Sequence, residues 1–82
     1  MAKQVIKIGT KVAYRLYGSR GLSYAHVSGI DECECGEKDG EPVDEVDFNL
    51  RGGDYGKGIE YTFYLDDGHW CYGEQIVKIM EG

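Results

Sequence analysis

Apolar and polar side chains alternate along most of this chain with a period of two, the signature of extended strands with one face buried. Ile6 and Ile8 share a face; beyond a break at Gly9-Thr10, Val12, Tyr14 and Leu16 do the same. The N-terminal basic residues recur every four positions, a spacing that also fits a helix. Four is an even number, however, so Lys11 and Arg15 fall together on the opposite face of a strand, and the apolar alternation decides for strand.

Gly18-Ser19-Arg20-Gly21 reads as a turn, and residues 22–30 as a strand with a bulge at Gly29. Residues 31–42, acidic and punctuated by glycine, read as a loop or hairpin tip. Val46, Phe48 and Leu50 alternate with Asp47 and Asn49 and predict the next strand, followed by a glycine-rich loop over 51–58. The clearest strand is 59–65: Ile59, Tyr61, Phe63 and Leu65 lie on one face, Glu60, Thr62 and Tyr64 on the other. Asp66-Asp67-Gly68 predicts a tight hairpin turn with Gly68 in the left-handed region. Residues 69–72 return as a short strand, Gly73-Glu74-Gln75 forms one helical turn, and 76–80 closes the chain. No segment keeps helical periodicity and no repeat is present. Short strands between turn signals predict a small all-β sandwich or barrel. Its expected core is Ile8, Val12, Tyr14, Val27, Val46, Phe48, Ile59, Tyr61, Phe63, Leu65, Trp70, Ile76 and Ile79.

The order of elements resembles a Src-homology-3-like barrel of the KOW or Tudor kind. The stretch Ile8-Gly9-Thr10-Lys11-Val12-Ala13-Tyr14 is similar to the opening of such barrels, and residues 21–30 to their second strand. Residues 61–70 resemble their distal hairpin, and Tyr72-Gly73-Glu74-Gln75-Ile76 the helical turn before their final strand. The acidic insertion at 31–42 departs from a compact KOW unit. The resemblance implies one all-β domain over 1–82, a five- to six-stranded Src-homology-3-like barrel with a short helical turn before the last strand. It also implies a binding role, by analogy of fold alone.

Length and composition narrow the picture. Eighty-two residues make one small domain, and no apolar run approaches the ~20 residues of a membrane span. The chain opens without a charged-then-apolar leader, and its three cysteines are an odd count, so a reducing, cytoplasmic setting is expected. The net charge of -6 is unevenly distributed. Residues 1–30 carry five bases and no acid, whereas residues 31–47 carry nine acids against Lys38 alone. Blocks of this kind steer partners more than they decide folds.

The residues offer four chemistries. Cys33 and Cys35, with His69 and Cys71, offer a Cys₃His set for zinc, although Cys-x-Cys is tighter than the usual Cys-x₂₋₄-Cys of zinc sites. Neither His26 nor His69 belongs to a nucleophile motif, and the glycines of 52–58 lack the Gly-Lys-Ser/Thr ending of a phosphate loop, so no enzyme is expected. Lys11, Arg15 and Arg20 with Tyr24 compose a basic-aromatic face suited to nucleic acid, against an overall negative potential. The fourth chemistry fits the composition best. Seven tyrosines and a tryptophan exceed what so small a core can hold. Tyr17, Tyr55, Tyr64, Trp70 and Tyr72, beside Glu32, Glu34 and Glu37, predict a surface for an Arg- or Lys-rich protein segment. The expectation is therefore a binding module without a cofactor, with nucleic acid binding and a zinc-stabilised domain as the alternatives.

Overall fold

The computed structural model describes residues 4–34, 40–53 and 58–80. Strand β1 is Val5–Lys7, β2 is Lys11–Tyr14, β3 is Ser23–Glu34, β4 is Glu41–Pro42 and β5 is Glu45–Asp47. Strand β6 is Ile59–Leu65, β7 is Trp70–Tyr72 and β8 is Ile76–Met80; 3-10 turns cover Phe48–Leu50 and Gly73–Gln75. The fold is all-β, with no α-helix among the described residues. The helical turn expected before the last strand is there.

Two sheets form. Strands β1 and β5 pair antiparallel, and a larger sheet runs in the order β7-β6-β3-β2-β8, with β4 also paired to β3. This path does not return on itself among the described residues, so the barrel closure expected from the sequence is not seen, and eight strands stand there in place of the expected five or six. The long strand β3 explains the architecture. Its first half pairs with β2, and its second half pairs with β6 and, at Asp31 and Glu32, with β4. Between them the register shifts: Val27 faces Leu65 while Gly29 already faces Tyr64, leaving Ser28 as the extra residue of a bulge. The sequence placed this feature one residue later.

The core lies beneath rows of paired strands. Ala25, Val12 and Ile79 form one row, and Ile30, Phe63 and Cys71 form another. Ile6 and Val46, paired across the small sheet, are buried in the same cluster. Ile6, Ala25, Ile30 and Cys71 are absent from the expected core, whereas Ile8 and Trp70 were placed there and stand 54% and 53% exposed. Ile8 fails because β1 ends at Lys7. Residues 8 and 9 turn, with Gly9 at φ +97° and the Thr10 N–H bonded to Lys7 O at 3.0 Å. Trp70 fails because Cys71 takes the inward position opposite Phe63, which turns both of its neighbours outward. Phe48, Tyr61 and Ile79 pack against the core only partly buried, and Ile59 is half-buried.

Two further expectations change. Residues 31–34 continue β3 rather than begin a loop, and β4 returns beside them. The strand expected over 46–50 stops at Asp47, whose carboxylate accepts the Asn49 N–H at 2.9 Å and starts the 3-10 turn. Leu50 is consequently exposed. The Asp66-Asp67-Gly68 turn is as expected, with Gly68 at φ +88°.

Candidate functional site

Pairing across the larger sheet sorts its outward side chains into two sets, one on each side of the Ser28 bulge. On the β6–β7 side, Gly29, Tyr64 and Trp70 form one cross-strand row, and Asp31, Thr62 and Tyr72 form the next. Cys33 and Glu60 pair beyond them. Three large aromatic residues are thereby held side by side in the open: Tyr64 is 42% exposed, Trp70 53% and Tyr72 38%. The Trp70 and Tyr72 rings meet edge to face at 5.3 Å. Tyr64 lies across Gly29, where a Cβ would come within 3.5 Å of its ring, and donates its hydroxyl to Asp31 Oδ2 at 2.9 Å. That hydrogen bond, with partial burial and the nearby Asp31 charge, raises the Tyr64 pKa.

Carboxylates border this row. Asp31 stands at one side, and Glu60 and Glu74 line a depression of about 20 Å³ beside Tyr72, room for about one water molecule. Glu74 belongs to the Gly73–Gln75 turn, which is firmly set. Gln75 is buried, accepts the Tyr72 N–H at 2.9 Å and donates to Arg15 O at 3.1 Å. A Cβ at residue 73 would fall 1.5 Å from Arg51 O, so only glycine permits the neighbouring backbone to cross there. Arg51 in turn stacks on Phe48 at 4.0 Å and donates to Ile76 O at 2.7 Å and Phe48 O at 2.8 Å.

On the β2–β8 side the rows opposite the core are Tyr24, Ala13 and Lys78, with Ala13 fully buried between its neighbours, then His26, Lys11 and Met80. Lys78 and Tyr24 are exposed and Lys11 half-buried. A concavity of about 320 Å³ opens there, lined by Gly9, Thr10, Lys11, His26 and Met80. His26 Nδ1 lies 3.4 Å from Asp66 Oδ2.

Between the two sides, the hairpin turn is anchored by Asp67. Its carboxylate accepts the hydroxyl of buried Tyr14 and, at 3.0 Å, the His69 N–H. Burial pushes the Asp67 carboxyl up, but these hydrogen bonds and the His69 ring outweigh it and hold the group below its ordinary value. Burial first, then Asp67, pushes the Tyr14 hydroxyl up to about 12, and burial does the same to the Cys71 thiol.

Of the residues singled out by sequence, the fold brings Tyr64, Trp70 and Tyr72 together. Tyr17 lies on the loop after β2 and reaches the border of this row, where its hydroxyl donates to Glu74 at 2.5 Å. Glu32 pairs with Tyr61 in the row that continues from Ile30 and Phe63, on the opposite face from Trp70, and Glu34 pairs with Ile59. Glu37, Tyr55 and Cys35 lie outside the described residues. Lys11 and Tyr24 share a face; Arg15 follows at the end of β2 and Arg20 lies in the next turn, both exposed. The cysteines and histidine diverge. Cys71 points into the core, His69 stands at the hairpin turn within 3.3 Å of Asp67, and Cys33 pairs with Glu60 on the outer face. Among the described residues no three metal-binding side chains converge. Sequence reasoning missed Asp31, Glu60 and Glu74. Alternation already sets Glu60 on the face of Tyr64, so its place in the site was within reach, whereas Asp31 required knowledge of the bulge.

Among the described residues no helix is long and apolar enough to cross a membrane. Comparison of the chain with protein-family models, curated proteins and solved structures finds no match.

Proposed function

We propose that the chain is a non-catalytic binding module that receives an Arg- or Lys-rich segment of a protein on the outer face of β3, β6 and β7. One observation carries this reading: three exposed aromatic side chains stand in adjacent cross-strand rows, two of them in edge-to-face contact, with Asp31, Glu60 and Glu74 beside them. A guanidinium or ammonium over such a ring gains ~0.5–2 kcal/mol, and the neighbouring carboxylates draw it in. The cytoplasmic setting and the Src-homology-3-like identity of the fold belong to the same reading. The second is supported by the strand order and the 3-10 turn ahead of β8.

Trp70 is the single tryptophan, so its fluorescence reports on the site. Titration with an Arg- and Lys-rich peptide is expected to shift that emission, with affinity falling steeply as salt shortens the screening length from ~10 Å at 0.1 M to ~3 Å at 1 M. Asp31→Asn and Glu60→Gln should weaken the response. Unchanged emission across the titration would overturn the reading.

The concentration of Lys11, Lys78 and Tyr24 on the other side favours a second reading, a nucleic-acid-binding face. Retention of single-stranded RNA that Lys11→Glu and Lys78→Glu release would establish it in place of the first.

A further inference from the structure

The two outward surfaces described above have opposite charge, and each carries what the other lacks. On one, Asp31, Glu60 and Glu74 border exposed rings. On the other, Lys11 and Lys78 flank Ala13, with Tyr24 and Met80 in the same rows. Asp66, beside His26, adds an acid to this second surface, whose positive charge comes from Lys11, Lys78 and neighbouring Arg15.

We infer that a second copy of this chain is a partner of the acidic-aromatic face, docking through its own β2–β8 face. The inference rests on the reading of that face as a receptor for basic segments and gives the segment an identity: lysines presented on a strand rather than on a flexible tail. Lysine stems cover apolar surface while their ammonium groups reach carboxylates, so Lys11 and Lys78 can lie over the Trp70 and Tyr72 rings and meet Glu60 and Asp31. A standard interface takes ~800 Å² from each partner, and both faces used at once would cover under a third of the 5658 Å² that one copy exposes. Because the contact joins unlike surfaces, each copy retains one face for a further neighbour unless two copies exchange both contacts.

Sedimentation velocity on the full chain tests this, from roughly 10 µM to 1 mM so that weak association is populated. The expected result is a heavier species that grows with concentration at low salt and dissolves at high salt. Two reversed variants give the decisive comparison. Asp31→Lys with Glu60→Lys makes both faces basic, and Lys11→Glu with Lys78→Glu makes both acidic. Each alone should associate at least about tenfold more weakly than the native chain, and an equimolar mixture should restore association. Circular dichroism identical to the native chain shows that the variants fold; should one fail, Glu60→Gln and Lys78→Gln give the same comparison with smaller shifts.

A native chain that stays monomeric throughout overturns the inference, as does association that neither reversal weakens. These failures are separable from failure of the proposed function. If the basic peptide still shifts Trp70 emission in a chain that remains monomeric, the face binds a different protein. If neither peptide nor second copy engages it, both ideas fall together.

Discussion

On the β2 side of the Ser28 bulge, β3 turns Tyr24 and His26 outward beside Lys11; on the β6 side it turns Gly29 and Asp31 outward beside Tyr64. The two halves belong to one strand and cover one core, yet the parity of their inward residues differs. Ala25 and Val27 are buried before the bulge, and Ile30 after it. Without the extra residue, strict alternation would expose Ile30 and bury Asp31. A one-residue insertion thus preserves the core while allowing the surface to change character along a single strand.

The largest expected effect addresses what the halves share. Phe63, fully buried between Ile30 and Cys71, should cost ~3–5 kcal/mol on replacement by Ala. Both halves should lose protection together in denaturant-dependent hydrogen exchange. Persistence of the β2–β8 half after the β6–β7 half has opened would show two cores in place of one.

Alkaline and acid titration come next. Groups whose pKa is raised by folding confer stability that is complete below their unfolded pKa and disappears as pH rises through the folded value. For Cys71 and Tyr14 the decline should begin near the unfolded values of ~8.5 and ~10 and extend toward about 12. Asp67 acts with the opposite sign: its lowered pKa adds stability above the usual carboxylate range that is lost as pH falls through the folded value. Thermal melts across pH should show both limbs, with Tyr14→Phe flattening the alkaline one and, by removing a donor to Asp67, the acid one.

Trp70→Ala sharpens the contrast between outer and inner residues. Half in solvent, it should change stability by no more than ~1 kcal/mol, while abolishing most of the response to a basic peptide. A loss comparable to Phe63→Ala, read from urea midpoints, would return Trp70 to the core. Smallest of all, Asp31→Asn and Lys78→Ala should each move stability by less than ~0.5 kcal/mol, since the charges of the two surfaces act on partners rather than on the fold. Larger shifts of the same midpoints would mean that these residues help to hold the sheet together.

Much of this architecture is legible along the chain because period-two alternation records burial directly. The strand over 59–65, its hairpin turn and the short helical turn were all readable. Errors arose where alternation is interrupted. Ile8 belongs to the right pattern but lies past the last paired residue of β1, and the Asp47 side chain converts an apparent strand into a 3-10 turn. Trp70 and Cys71 show a different failure: size argues for burying the tryptophan, but register favours the smaller neighbour opposite Phe63. Tyr64, Trp70 and Tyr72 were recognisable as surplus aromatics. Of the carboxylates beside them, Glu60 shares its strand and face with Tyr64, but Asp31 and Glu74 join it only through contacts between distant segments.

Arg51 has one more consequence. An open sheet leaves main-chain groups along its margins, where a foreign strand can add itself and begin a growing stack. Strand β8 is such a margin among the described residues. The guanidinium of Arg51 occupies the carbonyl of Ile76, its first residue, while a second donor ties the side chain to Phe48 O. A single side chain therefore withholds the start of the template from passing chains, guarding against cross-β aggregation with a charge that a strand would have to displace and leave desolvated.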